Sequence, residues 1–260
     1  MDLCLHGKRA LITGASRGIG RAAAAALAQE GCDLVMVARS AVDLAESADA
    51  IRSLHQVRIE TLPCDVSDPA ARLGLIEAVG EVDILVNNAG SNPAGEIDDI
   101  DEAMWRQAWD LKVFGTIALT RAFYGQMKAK RVGVIVNVIG NSGERMNARY
   151  ILGSSGNISL MGLTRALGGR SPDFGVRVVG VNPGLTATSR ATTMLRSWSL
   201  SQFGTEERWQ EVEAGLKLPF GRMGTAEEVG DMIAFLASPR ASYVSGTIVT
   251  VDGGASNRPD

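Results

Sequence analysis

Residues 9–20 read Arg9-Ala10-Leu11-Ile12-Thr13-Gly14-Ala15-Ser16-Arg17-Gly18-Ile19-Gly20. An apolar run of strand character breaks at a glycine and resumes as a helical pattern over Ile19–Glu30. In a strand–turn–helix unit, Gly14 permits the tight turn, Gly18 lets backbone approach a pyrophosphate, and Gly20 lets helix and strand pack closely. Free amides at the start of the helix would then face phosphate oxygens. A glycine triplet alone is a weak signal; this one carries weight because a strand precedes it and a helix follows.

The same alternation continues outward. Short runs rich in Val, Ile and Leu occur at Arg9–Thr13, Leu34–Ala38, Ile59–Pro63, Ile84–Asn87, Val134–Val138, Arg177–Val181 and Ile248–Val251. Near-continuous apolar runs suit strands covered on both faces. Helical patterns lie between them at Leu44–Leu54, Ala70–Val79, Glu102–Lys128, Ser155–Gly168 and Glu227–Leu236. This order predicts an α/β fold, a Rossmann-like doubly wound parallel sheet of about seven strands, as a single domain over 1–260. Ligands of such sheets bind beyond the carboxyl ends of the strands.

Composition narrows the function. With 45% hydrophobic and 21% charged residues the chain can bury a large core. A net charge of -3 gives no basic stripe for nucleic acid. No apolar run is long enough for a membrane span, and the first ten residues are too polar for a signal peptide, so a cytoplasmic location is expected. Cys4, Cys32 and Cys64 are scattered without metal-ligand spacing and read as unpaired thiols in a reducing compartment, with no metal site.

Several short motifs now coincide. Thr13-Gly14-Ala15-Ser16-Arg17-Gly18-Ile19-Gly20 has the TGxxxGxG spacing, Cys64-Asp65-Val66 follows the third strand and Asn87-Asn88-Ala89-Gly90 the fourth. Asn182-Pro183-Gly184 is followed by Thr188, and Ser245-Gly246 and Val251-Asp252-Gly253-Gly254 close the pattern. In these motifs, and along almost its whole length, the chain resembles the short-chain dehydrogenase/reductase family. The resemblance implies phosphate contacts from Gly14, Ser16, Arg17, Gly18, Ile19 and Gly20, with Asp65 and Val66 around adenine. It also implies Asn88, Ala89 and Gly90 near the ribose, and Pro183, Gly184, Leu185 and Thr188 near the nicotinamide. Members that use NAD carry an acid after the second strand; here Ala38 and Arg39 stand there. A guanidinium pairs with a 2′-phosphate that a carboxylate would repel, so Arg39, with Arg17, favours NADP(H) over NAD(H). Both arginines could instead be solvated surface cations.

The family's proton chemistry uses a Ser, a Tyr and a Lys, plus an Asn. Alignment through Gly162–Leu167 places the Tyr position at Gly153 and the Lys position at Asn157. The end of the Val134–Val138 strand puts the Ser position at Gly140, and Leu119–Ala122 puts the Asn position at Lys112. All four expected residues are replaced. Lys and Asn have changed places, which suggests that the Lys112 ammonium fills space left at 157 while Asn157 keeps a ribose hydrogen bond. A Lys112 that caps a carbonyl or faces solvent is the competing reading. Tyr150, three residues ahead of Gly153, is a candidate substitute proton donor or a residue at the pocket mouth. Ser142, with Asn141, Asn147, Ser154 and Ser155, could hold a substrate oxygen, or these side chains could serve as caps and surface groups, with Ser154 or Ser155 as a helix N-cap. Loss of side chains at 140 and 153 predicts a wider pocket.

Residues 186–219 correspond to the family's substrate lid and carry Met194, Leu195, Trp198, Leu200, Phe203 and Trp209. They could cover a bulky, mostly apolar small-molecule substrate or anchor the lid to the body or a second subunit. The resemblance also implies a homotetramer or homodimer built through the two long helices and the last strand. Two functions stay open: an NADP(H)-dependent oxidoreductase of a carbonyl or alcohol with an atypical site, and a non-catalytic NADP(H)-binding sensor or scaffold.

Overall fold

Seven strands form one parallel sheet because each crossover carries the chain back to the end of the sheet from which the preceding strand began. The structure, a computed structural model, describes residues 1–258. The strands are β1 (Arg9–Thr13), β2 (Asp33–Ala38), β3 (Ile59–Pro63), β4 (Ile84–Asn87), β5 (Gly133–Val138), β6 (Val176–Pro183) and β7 (Ile248–Val251). Their order is β3-β2-β1-β4-β5-β6-β7. The order reverses between β1 and β4, whose registered pairs include Leu11 with Leu85 and Ile12 with Val86. A crevice therefore opens beyond the carboxyl ends of these two strands.

The helices are α1 (Gly18–Gln29), α2 (Ala41–Arg52), α3 (Pro69–Val79), α4 (Glu102–Trp109), α5 (Gly115–Lys130), α6 (Ile151–Arg170), α7 (Ser189–Phe203), α8 (Trp209–Gly215) and α9 (Ala226–Ala237). Alternate strand residues point to opposite faces, and both faces are apolar. One core holds Ile12, Leu34, Met36, Val86 and Val179 against α1 and α9. The other holds Leu11, Val35, Leu85 and Ile135 around Phe123 of α5. Small residues bring α1 and α9 close: a Cβ at Gly230 would lie 2.8 Å from the carbonyl carbon of Ala22. Caps fix where helices begin, with Ser40, Asp68 and Asp101 each accepting from a first-turn amide and a Thr225–Glu228 capping box on α9.

Two expectations need adjustment. The single helix over Glu102–Lys128 is two helices joined by a π-helical turn at Asp110–Phe114. Gly115, just after that turn, sits close to the loop that follows β3, where a Cβ would lie 3.1 Å from the Val66 carbonyl oxygen. The helix expected from Ser155 starts at Ile151, so neither Ser154 nor Ser155 is its N-cap; Tyr150 holds that position. Ser155 instead donates back to the Ile151 carbonyl at 2.8 Å. Residues 186–219 fold as α7 and α8 beside the cleft, with Leu195 buried, Trp198, Phe203 and Trp209 half-buried and Leu200 exposed.

Candidate functional site

The phosphate side of the cleft is built from backbone. Thr13 ends β1 fully buried, and its hydroxyl accepts from the amides of Asn88 and Ala89 at 3.0 Å each. The Asn88 amide group donates to the Thr13 carbonyl at 2.9 Å and to that of Gly14 at 3.3 Å. The turn after β4 is thereby bolted to the glycine loop. Gly14 and Gly18 hold φ of +67° and +55°, in the region that glycine favours. A Cβ on Gly20 would lie 2.2 Å from the Gly14 carbonyl oxygen. Arg17 takes the N-cap position of α1 without a side-chain cap, so no side chain occupies the first-turn amides. A cradle closed to any side chain and rich in donors fits a pyrophosphate.

The adenosine side carries charge. Asp65 loses some ionisation to burial, but hydrogen bonds from Ser67 and the charge of Arg39 outweigh this and hold its carboxyl below the usual range. The charge of Arg39 is thus felt at Asp65, and these are the two residues expected to flank an adenosine. Pro183–Gly184, expected beside the nicotinamide, ends β6, and the Gly184 amide donates to the Val251 carbonyl at 3.0 Å. Thr188 caps α7 through the Ala191 amide at 3.4 Å. Its methyl would meet a Cβ on Gly18 at 3.2 Å, so the start of α7 is in contact with the glycine loop.

The reaction side is built from side chains. A buried relay beneath it fixes the elements: Asn87 donates to Thr120 and Asn137, and Asn137 to Thr164, at 2.9–3.0 Å. Above the relay, Lys112 leaves the π turn, passes Gly90 and donates to the Ile139 carbonyl at 2.6 Å. A Cβ on Gly90 would be 3.1 Å from both Cγ and Cδ of Lys112. Burial, aided by the charge of Arg190, pushes the Lys112 ammonium down to about 7. Some of the side chain remains accessible, but its charged end is enclosed by protein.

Asn157 is 2% exposed and donates to the Gly140 carbonyl at 3.2 Å and to the Ser142 hydroxyl at 2.7 Å. Its Oδ1 is buried with no partner among the described residues. Lys112 and Asn157 thus converge on the consecutive carbonyls of Ile139 and Gly140. Both amide protons of Asn157 are committed to protein. Gly140 has φ +129°, and a Cβ there would meet Asn157 Nδ2 at 2.9 Å.

Gly153 does not leave the expected hole. The Tyr150 ring occupies it: a Cβ at 153 would lie 1.9 Å from Cε1 and 2.3 Å from Cζ of Tyr150. The Tyr150 backbone is held by a bridge to Gly95, with the Ile151 amide donating to the Gly95 carbonyl at 3.4 Å. Other polar candidates are engaged elsewhere. Asn141 donates to Asp252 and Ser256 at 3.4 Å, Ser154 to the Asn147 carbonyl at 3.4 Å, and Asn147 Oδ1 accepts from Arg149 at 2.9 Å. Sequence reading passed over Arg190, whose guanidinium donates to the carbonyl of Asn92 at 2.9 Å, the Tyr150 hydroxyl at 3.3 Å and the carbonyl of Gly90 at 3.5 Å. No local pattern marks it.

Known proteins share this arrangement of strands and loops. A sequence profile described as enoyl-(acyl carrier protein) reductase matches residues 14–256. The galactitol 2-dehydrogenase (L-tagatose-forming) of Cereibacter sphaeroides is 35% identical over 254 residues, covering 96% of this chain and 95% of that protein. The 3-oxoacyl-(acyl-carrier-protein) reductase of Escherichia coli (strain K12) is 34% identical over 258 residues, covering 96% and 97%. The crystal structure of L-sorbose reductase from Gluconobacter frateurii, complexed with NADPH and L-sorbose, superposes with a TM-score of 0.90 at 30% identity, covering 97% of this chain and 98% of that one. With its seven-stranded parallel sheet, its glycine loop bolted to the turn after β4 and this end-to-end similarity, the chain belongs to the short-chain dehydrogenase/reductase family of oxidoreductases.

Proposed function

We propose that this protein is an NADP(H)-dependent oxidoreductase that interconverts a carbonyl and an alcohol, with the Tyr150 phenol as its proton carrier. The observation that carries the reading is the Tyr150 ring lying in the volume that a side chain at Gly153 would occupy. The chain thus offers a phenol at the reaction side although position 153 itself has none. NADPH, when bound, supplies the hydride to the carbonyl carbon. As the carbonyl π bond breaks, its oxygen takes the Tyr150 hydroxyl proton, and the phenolate regains a proton from water. Lys112, anchored on Ile139 at the same end of the sheet, lends a titratable amine to this half of the cleft. Arg17 and Arg39 support the choice of NADP(H), since the charge of Arg39 is felt at Asp65 on the expected adenosine side.

The substrate we infer is bulky and largely apolar, covered by α7 and α8 with Trp198 and Phe203. Exposed Phe114, Ile117 and Ile158 on and beside the long helices support assembly as a homodimer or homotetramer through that face. Three free cysteines, one of them the deeply buried Cys32 whose thiol burial pushes up to about 12, suit a cytoplasmic location.

One feature favours a second reading, a non-catalytic NADP(H) sensor: Asn157 turns both amide protons inward rather than to the cleft. Titration with NADPH followed by a panel of ketones and secondary alcohols separates the two. The oxidoreductase reading expects turnover that falls to background in the Tyr150→Phe, Lys112→Ala double variant. NADPH binding without turnover across the panel establishes the sensor instead.

A further inference from the structure

Arg190 lies second in α7, the first helix of the lid, yet all three of its acceptors lie outside the lid. Two are carbonyls of the segment after β4, Gly90 and Asn92; the third is the Tyr150 hydroxyl at the start of α6. One guanidinium therefore ties together three segments that are separate in sequence and wall the cleft.

The polarity of these contacts matters. Arginine donates and cannot accept, so its bond to Tyr150 occupies a lone pair of the phenol oxygen and leaves the hydroxyl proton to point elsewhere. No acceptor among the described residues takes that proton; the phenol appears in the hydrogen-bond pattern only as an acceptor. A donor held by its oxygen and free at its proton is ready for the oxygen of a substrate. The cation beside it also offsets the charge that develops as the proton leaves. In addition, the charge of Arg190 reaches Lys112 and helps keep its amine from holding a proton. Tyr150 and Lys112 thus both feel the same lid-borne cation.

We propose that Arg190 is a positioning residue: seated on the Gly90 and Asn92 carbonyls, it orients the Tyr150 phenol toward the substrate oxygen, so that proton transfer depends on the lid helix being in place. This inference rests on the oxidoreductase reading and adds to it a residue outside every motif of the family pattern. Lysine cannot replace arginine fully, because one ammonium lacks the planar fork that serves several oxygens at once.

The chain has only three tyrosines, Tyr124, Tyr150 and Tyr243, so 3-fluorotyrosine labelling gives a ¹⁹F spectrum in which Tyr150→Phe identifies the resonance of interest. The full-length protein is measured with NADPH, in parallel with steady-state kinetics on the best panel substrate. Arg190→Ala is expected to move the Tyr150 resonance, lower kcat by about 10–100-fold and leave NADPH affinity within about twofold. Arg190→Lys recovers part of kcat. The double variant with Tyr150→Phe is no slower than Tyr150→Phe alone, because both changes act on one step. An unmoved Tyr150 resonance in Arg190→Ala overturns the clasp, and additive losses in the double variant overturn its role in proton transfer. A wild-type protein silent on the whole panel removes the oxidoreductase reading and the catalytic role together, while the ¹⁹F shift still reports whether the clasp exists.

Discussion

The two halves of the cleft use glycine for different purposes. On the phosphate side, Gly14 and Gly20 are small so that the glycine loop can close on its own backbone and on the Asn88 side-chain amide that bolts it to the turn after β4. On the reaction side, Gly90, Gly140 and Gly153 are small so that another side chain can enter, respectively Lys112, Asn157 and Tyr150. The first arrangement is built from backbone and one bolting amide, as a pyrophosphate cradle requires. The second is a set of interlocked pairs, in which a glycine and its visitor depend on each other. The space beside each of these glycines is therefore not empty; a neighbouring side chain fills it.

This contrast is broken most directly at Gly20. Gly20→Ala puts a methyl 2.2 Å from the Gly14 carbonyl, and the backbone must shift. A cost of about 3 kcal/mol or more is expected, seen as a fall in Tm of about 6–12 °C with loss of NADPH binding by calorimetry. Gly153→Ala tests the other half. Its methyl displaces the Tyr150 ring, and a misplacement of roughly 1 Å costs about 100-fold in kcat. NADPH affinity stays near the wild-type value; if it falls in step with kcat, the two halves are not separable. Arg39→Glu sharpens the cofactor side. Replacing a charge-assisted pair by repulsion lowers NADPH affinity by about 10–100-fold and leaves NADH affinity little changed. Equal losses for both nucleotides would remove Arg39 from 2′-phosphate recognition.

The smallest effect concerns stability and Lys112. Its amine titrates near 7 when folded and near 10.5 when unfolded, because burial and Arg190 disfavour the charge. Between those values the unfolded chain binds more protons, so stability rises as pH increases from about 7 toward 10.5. Lys112→Met removes this group, and its unfolding midpoint, followed by denaturant titration, rises less over that window than the wild type's. Parallel curves would show that Lys112 is charged in the folded protein.

The sheet and the phosphate cradle were readable from sequence because both rest on local order: strand runs of Val and Ile, a glycine spacing and the helix that follows. The resemblance to the family pointed to positions 112, 140, 153 and 157 as the reaction side. What fills the space there it did not show. Tyr150 sits three residues from Gly153, where helical geometry alone would send the ring elsewhere; its N-cap backbone, with φ -137° and ψ 41°, turns it back. Arg190 meets groups 40, 98 and 100 residues away, a separation that no periodicity reports. Nor did composition reveal the π turn that presents Lys112, since Leu111 and Lys112 are good helix formers and Asp110, Val113 and Phe114 are only modestly weaker ones.

The notch at Gly153 also limits the order in which this site can change. A side chain introduced there would collide with the phenol already present, so any larger residue at 153 requires Tyr150 to give way first. On the oxidoreductase reading proposed above, that route passes through a chain with no phenol on this wall and is expected to be inert for as long as the intermediate lasts. Under that reading, directed evolution by single changes should keep the phenol at Tyr150.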